Sequence, residues 1–229
     1  VTRKEFLILN RQKYKKLKPY VLQSMKEKYI EQDIFKIGYL DIETENLEAN
    51  FGVMWSWAIS VRNVENNKNE LRKAVINESD FRRAKKKDDW DTLDKRITEQ
   101  LIENISDLDY LVGHWFIGKH RHDIPYVRTR CIANSIGGFP KHRMIRYGDT
   151  QKWGSQLYRL HSFGLASLAD AFGVIQEKTR IRTKDWKNAK LGSKKSLKYI
   201  LDHNIIDVLI THQVHKKIEE QVSISNSYA

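Results

Sequence analysis

The segment Ile34-Phe-Lys-Ile-Gly-Tyr-Leu-Asp-Ile-Glu-Thr44 constrains the fold more than any other stretch of the chain. Its apolar residues alternate and the run then stops in polar ones, the pattern of a strand entering a turn. Two carboxylates, Asp41 and Glu43, sit near its end. Alternate residues of a strand point to one face, so an i, i+2 pair can converge on one cation. Acidic side chains in an apolar strand are disfavoured by propensity and by desolvation, and persist most readily where a metal or hydrogen bonds compensate. A strand end emerging into water would show the same pair, which by itself does not choose between the two.

The residues after Thr44 set the fold class. Residues 52–62 form a second strand candidate, 63–69 a turn, and 70–76 a strand that pairs back, giving a three-stranded antiparallel start. Residues 79–106 read as helical, with Leu93, Ile97, Leu101, Ile102 and Ile105 at near-helical spacing and Asp91 or Thr92 able to cap. A short buried strand is expected over 110–114, then a helix through about Ala133 with Pro125 in its first turn. A fifth strand over 144–147 and helices over 165–172, closed by Gly173, and 196–220 complete the pattern. The expectation is an α/β fold with a five-stranded mixed sheet flanked by helices. Residues 34–221 make this domain, 222–229 a C-terminal tail, and 1–33 a basic helical arm broken near Pro19. The arm either packs one face on the core or meets nucleic acid directly.

Composition narrows the partners. Of 229 residues 40% are hydrophobic, enough for a sizeable core, and the formal net charge is +12, which makes an extended polyanion the natural candidate and a merely basic surface the alternative. A single cysteine, Cys131, rules out an internal disulfide and a cysteine-rich zinc site and suits a reducing compartment. The most apolar stretch, 51–61, falls short of the ~18 residues of a membrane helix, and no charged-then-apolar leader opens the chain. An intracellular protein, cytoplasmic or nucleoid-associated and without membrane contact, is expected, with a viral origin left open.

Two further carboxylates stand out. Asp123 lies in His120-Arg-His-Asp-Ile-Pro-Tyr126, just before the expected helix, and Asp207 lies in Tyr199-Ile-Leu-Asp-His-Asn-Ile-Ile-Asp207. Tyr199, His203 and Asp207 are successive i, i+4 neighbours and share one face of the last helix. A histidine one turn before a carboxylate can reach what that carboxylate binds. Taken together, Tyr39-Leu-Asp-Ile-Glu-Thr44, Tyr110-Leu-Val-Gly-His114 leading to Asp123-Ile-Pro-Tyr-Val127, and His203-Asn-Ile-Ile-Asp-Val208 resemble the three motifs of the DnaQ-like, or DEDD, exonuclease superfamily. The likeness is to its ribonuclease H-like branch related to family B DNA polymerase proofreading domains, and it spans roughly residues 34–220.

The resemblance implies a ribonuclease H-like fold and 3′ to 5′ exonuclease activity, with Asp41, Glu43, Asp123 and Asp207 holding two divalent cations, Mg²⁺ or Mn²⁺. It implies that His203 orients or deprotonates the attacking water. Two departures accompany it. His122 stands where a phenylalanine often precedes the second aspartate, and the segment 115–121 is expanded. The gap between His203 and Asp207 is that of the tyrosine subclass, so both subclasses stay open.

Beside the motifs, Lys178, Arg180, Arg182, Lys184 and Lys187 crowd the approach to the last helix around Trp186, which fits either phosphate contact or a solvated basic loop with the tryptophan in the core. Arg128 and Arg130, after Asp123, are candidates to reach a phosphate near the cations. Trp55, Trp57 and Trp153 read as core aromatics. His114, His120 and His122 offer a zinc reading, weakened by the lack of cysteine partners. DNA is the favoured substrate with RNA possible, a replication or repair protein is a possible partner, and the rival functions are an endonuclease on the same chemistry and a silent nucleic-acid-binding or scaffolding module.

Overall fold

The computed structural model describes residues 35–65, 68–117, 122–137, 139–140, 145–175 and 179–222. The expected basic arm, His120, Lys178 and most of the expected tail lie outside the described residues.

Strands β1 (Lys36–Thr44), β2 (Met54–Asn63) and β3 (Asn69–Val75) run antiparallel in sequence, with Asp41 opposite Ala58 and Ser60 opposite Leu71. Strands β4 (Tyr110–Gly113) and β5 (Arg146–Asp149) add to the other side of β1 in parallel, so the sheet order is β3-β2-β1-β4-β5. This is the mixed five-stranded α/β sheet that the sequence pattern predicts. Parallel pairing brings the C-terminal ends of β1, β4 and β5 to one edge, where open α/β sheets collect functional groups.

Alternation along β1 sorts its residues between two layers of helices. Leu40 and Ile42 join Trp55, Trp57 and Ile59 of β2 in the larger core, under Ile97, Leu101 and Ile105 of helix α2 (Lys95–Ile105) and Ile124 and Val127 of α3 (Asp123–Ala133). On the opposite face Ile37 and Tyr39 pack with Tyr110, Val112, Trp153 of α4 (Thr150–Leu157) and Ile218 of the long α7 (Lys194–Ile218). The β2 residues opposite Tyr39, Asp41 and Glu43 are Ser60, Ala58 and Ser56, all buried and small, which lets α7 lie close over the end of β1.

Several elements depart from expectation. The helical stretch over 79–106 is two helices, α1 (Glu78–Lys87) and α2, because Asp88 adopts φ 50° and returns its N–H to the carbonyls of Ala84 and Lys85. Neither Asp91 nor Thr92 caps α2. Its cap is Asp94, whose fully buried carboxylate instead accepts from Met54 N at 2.9 Å, Arg130 Nε and Nη2 at 2.8 Å, and Asn134 Nδ2 at 2.8 Å. This corrects the reading of Arg130 as a nucleic-acid contact: it is 3% exposed, on the inward face of α3, and also bonds the carbonyls of Ala49 and Asp91. The fifth strand starts two residues later than expected, and α4 follows it unpredicted. Helix α5 (Leu165–Ala171) is as expected, while part of the basic stretch is a helix, α6 (Thr183–Lys190). It ends at Gly192 (φ +78°), whose N–H bonds Ala189 O as Ser193 N bonds Asn188 O before α7 starts.

The far half of α7 is pinned by a buried polar network. Tyr39 Oη lies 2.9 Å from His215 Nδ1 and its ring stacks on His212 at 4.2 Å, while Ser60 Oγ lies 3.0 Å from His212 Nδ1. Burial pulls both histidines down to about 4, so they are neutral near pH 7. Their folded values lie below the unfolded value of about 6.5, so this contribution to stability is whole above that pH and is lost as pH falls toward 4. The melting temperature of an Asp123→Asn variant, which lacks the opposing titration of that buried carboxyl, should therefore drop across that window; one that stays flat contradicts neutral burial of the pair. Replacing Arg130 with Ala strands the Asp94 carboxylate and should cost about 3 to 5 kcal/mol in urea unfolding.

Candidate active site

Asp41 and Glu43 stand near the C-terminal end of β1, and α7 supplies their neighbours. His203 Nε2 lies 3.5 Å from Glu43 Oε1 and 3.7 Å from Asp207 Oδ2, and Asn204 Nδ2 donates to Asp41 Oδ2 at 2.5 Å. The i, i+4 spacing of His203 and Asp207 thus does what a helix face requires. Asp123 opens α3 and is 4% exposed. Burial first, then the charges of Asp41, Glu43, Asp149 and Asp207, hold its carboxyl well above the usual carboxylate range. The four acidic residues and the histidine, distant along the chain, are gathered in one place.

The approach to Asp123 is built by backbone contacts. Phe116 N donates to Asp149 Oδ2 at 2.8 Å, Ile124 N to Phe116 O at 3.2 Å, and His122 N to Trp115 O at 3.0 Å, which occupies donors at the start of α3. Gly113 permits this path, since a Cβ there would stand 2.1 Å from the Phe116 ring. Asp149 also caps α4, its Oδ1 accepting from Gln151 N at 2.9 Å and Lys152 N at 3.2 Å. The sequence pattern does not single out this fifth carboxylate. Its signal is the Asp-Thr-Gln start to α4, hidden because the expected fifth strand ends at Tyr147.

Thr179 is a second residue that the sequence pattern does not single out: its Oγ1 lies 2.6 Å from His203 Nδ1. Its neighbour Arg180 accepts from Tyr199 Oη at 3.2 Å through its carbonyl and is exposed, like Arg182, Lys184 and Lys187. Arg182 pairs with Asp185 at 2.9 Å, and Lys190 pairs with Glu45 at 2.7 Å, which fixes α6 beside the end of β1. Arg128 lays its guanidinium 5.1 Å from the Phe139 ring centre. Trp186 packs against the larger core, as do Trp55 and Trp57, whereas Trp153 belongs to the cluster under Tyr39. Of the zinc candidates, His114 Nδ1 lies 2.9 Å from Thr150 Oγ1 and His122 Nε2 lies 3.0 Å from Thr44 Oγ1. Burial lowers the pKa of His122.

Among the described residues, no three His, Cys, Asp or Glu side chains stand close enough to hold one ion as placed. The donor set still fits hard divalent cations. It is all carboxylate, and Asp123 Oδ2 is buried with no hydrogen-bond partner among the described residues. No helix among the described residues is long and apolar enough to cross a membrane.

No family model and no curated protein matches the sequence. Solved structures do match in shape. Product-bound exonuclease I aligns with a TM-score of 0.54 and 11% identity over 82% of this chain and 44% of that one. The zinc-bound E. coli exonuclease I–ssDNA complex aligns with a TM-score of 0.50 and 13% identity over 82% of this chain and 41% of that one. The chain therefore spans less than half the length of these structures, and the likeness establishes a ribonuclease H-like fold.

A raised folded pKa means that ionised Asp123 opposes folding at neutral pH and ceases to do so as pH falls through that value. In chelator at pH 7.5, Asp123→Asn should melt several degrees above the parent chain, and the gap should close near pH 4. A variant that melts lower at pH 7.5 would show that the carboxylate is compensated without cations.

Proposed function

We propose that this chain is a metal-dependent nuclease that hydrolyses phosphodiester bonds of nucleic acid, acting 3′ to 5′ and favouring DNA. The observation that carries the reading is the buried Asp123 carboxyl, one oxygen of which has no hydrogen-bond partner among the described residues, in the field of Asp41, Glu43 and Asp207. Such an arrangement opposes folding and is expected where cations compensate it. Asp41, Glu43, Asp123 and Asp207 would hold two Mg²⁺ or Mn²⁺ ions, which when bound supply charge stabilisation at the phosphoryl oxygens and a lowered pKa for the attacking water.

His203 takes the proton of that water at Nε2, the nitrogen that faces Glu43 and Asp207, while Thr179 at Nδ1 holds the ring. Arg180, Arg182, Lys184 and Lys187, with Lys178, meet backbone phosphates, and Arg128 is a further candidate. The fold shared with exonuclease I structures, one holding product and one holding single-stranded DNA, supports a strand-end substrate, and the three-motif resemblance supports the polarity.

End-labelled single- and double-stranded DNA and RNA, incubated with Mg²⁺, Mn²⁺ or chelator, provide the test. A ladder descending from the 3′ end with either ion, absent in chelator and lost in Asp41→Ala, is the expected result. His203→Gln should lower turnover about 100-fold or more with little change in substrate affinity. Cuts in a circular substrate would make the chain an endonuclease, and binding without cleavage would make it a binding module.

A further inference from the structure

We propose that Asn204 is a positioning residue that holds Asp41 ready for a cation without neutralising it. This rests on the metal-dependent reading and adds to it a residue of the chain that serves the site without touching substrate. Asn204 is fully buried on α7, between His203 and the turn that carries Asp207. Its helical neighbours one turn away, Ile200 and Val208, are fully buried and apolar, so an apolar residue would suit the position by packing alone. The amide instead donates Nδ2 to Asp41 Oδ2 at 2.5 Å and leaves Oδ1 buried with no hydrogen-bond partner among the described residues. A buried acceptor without a partner costs stability, so packing does not explain the residue.

The chemistry of the side chain does. A carboxylate accepts hydrogen bonds and cannot donate them, so the amide must present its NH₂ to it. Lys or Arg would also donate to Asp41, but would cancel the charge a cation needs. Asp or Glu would add to the repulsion already acting on Asp123. Leu or Ala would remove this donor from the Asp41 carboxylate. An amide donor fixes the carboxylate and leaves its charge intact, which is the part played by hydrogen-bond partners of metal ligands generally.

Mn²⁺ titration of the full chain, followed by electron paramagnetic resonance, tests this against Asn204→Leu, with Asn204→Ala as the second variant should leucine not fold. Either variant should bind Mn²⁺ about 10- to 100-fold more weakly. For Asn204→Leu, melting in chelator should match or exceed that of the parent, and for either variant DNA affinity in chelator should be unchanged. Combined with Asp41→Asn, the Asn204 substitution should weaken Mn²⁺ binding no further than Asp41→Asn alone, because it acts through Asp41. Unchanged Mn²⁺ affinity overturns the role of Asn204 and leaves the nuclease reading standing, as does a loss of affinity matched by a loss of melting temperature in chelator. Failure of the parent chain to bind Mn²⁺ overturns both.

Discussion

Carboxylates repel one another, and the repulsion grows as water is withdrawn. At the end of β1 this chain sets Asp41 and Glu43 against Asp207 from α7 and a nearly dry Asp123 from α3. Everything nearby is arranged to hold that unfavourable cluster in shape. Asn204 donates to Asp41, His203 lies between Glu43 and Asp207, and Thr179 holds the far nitrogen of that histidine. Asp149 directs its oxygens to the backbone N–H groups of Phe116, Gln151 and Lys152, which anchors the path to Asp123.

The stability that offsets this strain lies away from the site. Asp94 ties β2, α2 and α3 together through four hydrogen bonds, so α3 carries Asp123 on a rigid support. On the other face, the neutral histidines His212 and His215 lock the far half of α7 to Tyr39 and Ser60, and the small β2 residues admit the helix. The same helix therefore presents His203, Asn204 and Asp207 from the middle of a firmly held rod. Stability and site are separated along α7 by about one to three helical turns.

The features legible in the sequence are local. Alternation over Lys36–Thr44 reveals the strand because β1 is buried on both faces and alternates between two cores. The pairs Asp41 with Glu43 and His203 with Asp207 are legible because their geometry is short-range: i, i+2 on a strand and i, i+4 on a helix. The features that escape depend on partners far along the chain. Arg130 looks like any basic residue after Asp123 until Asp94 is seen beside it, and Thr179 gains its meaning only from His203, across the whole of α6 and the first turns of α7. The break after α1 rests on Asp88 in a left-handed conformation, with no glycine or proline to announce it. Asn204 lies inside the third motif, yet nothing in the pattern marks it, because its value lies in a strand residue on another element.

Anomalous diffraction from crystals of this chain grown with Mn²⁺ would show whether cations complete the cluster. Two peaks about 3.5 to 4 Å apart, bounded by Asp41, Glu43, Asp123 and Asp207, are the expected outcome. Density with no anomalous peak among those four carboxylates at millimolar Mn²⁺, or peaks confined to other surfaces, would mean that the acidic cluster serves some purpose other than metal-dependent hydrolysis.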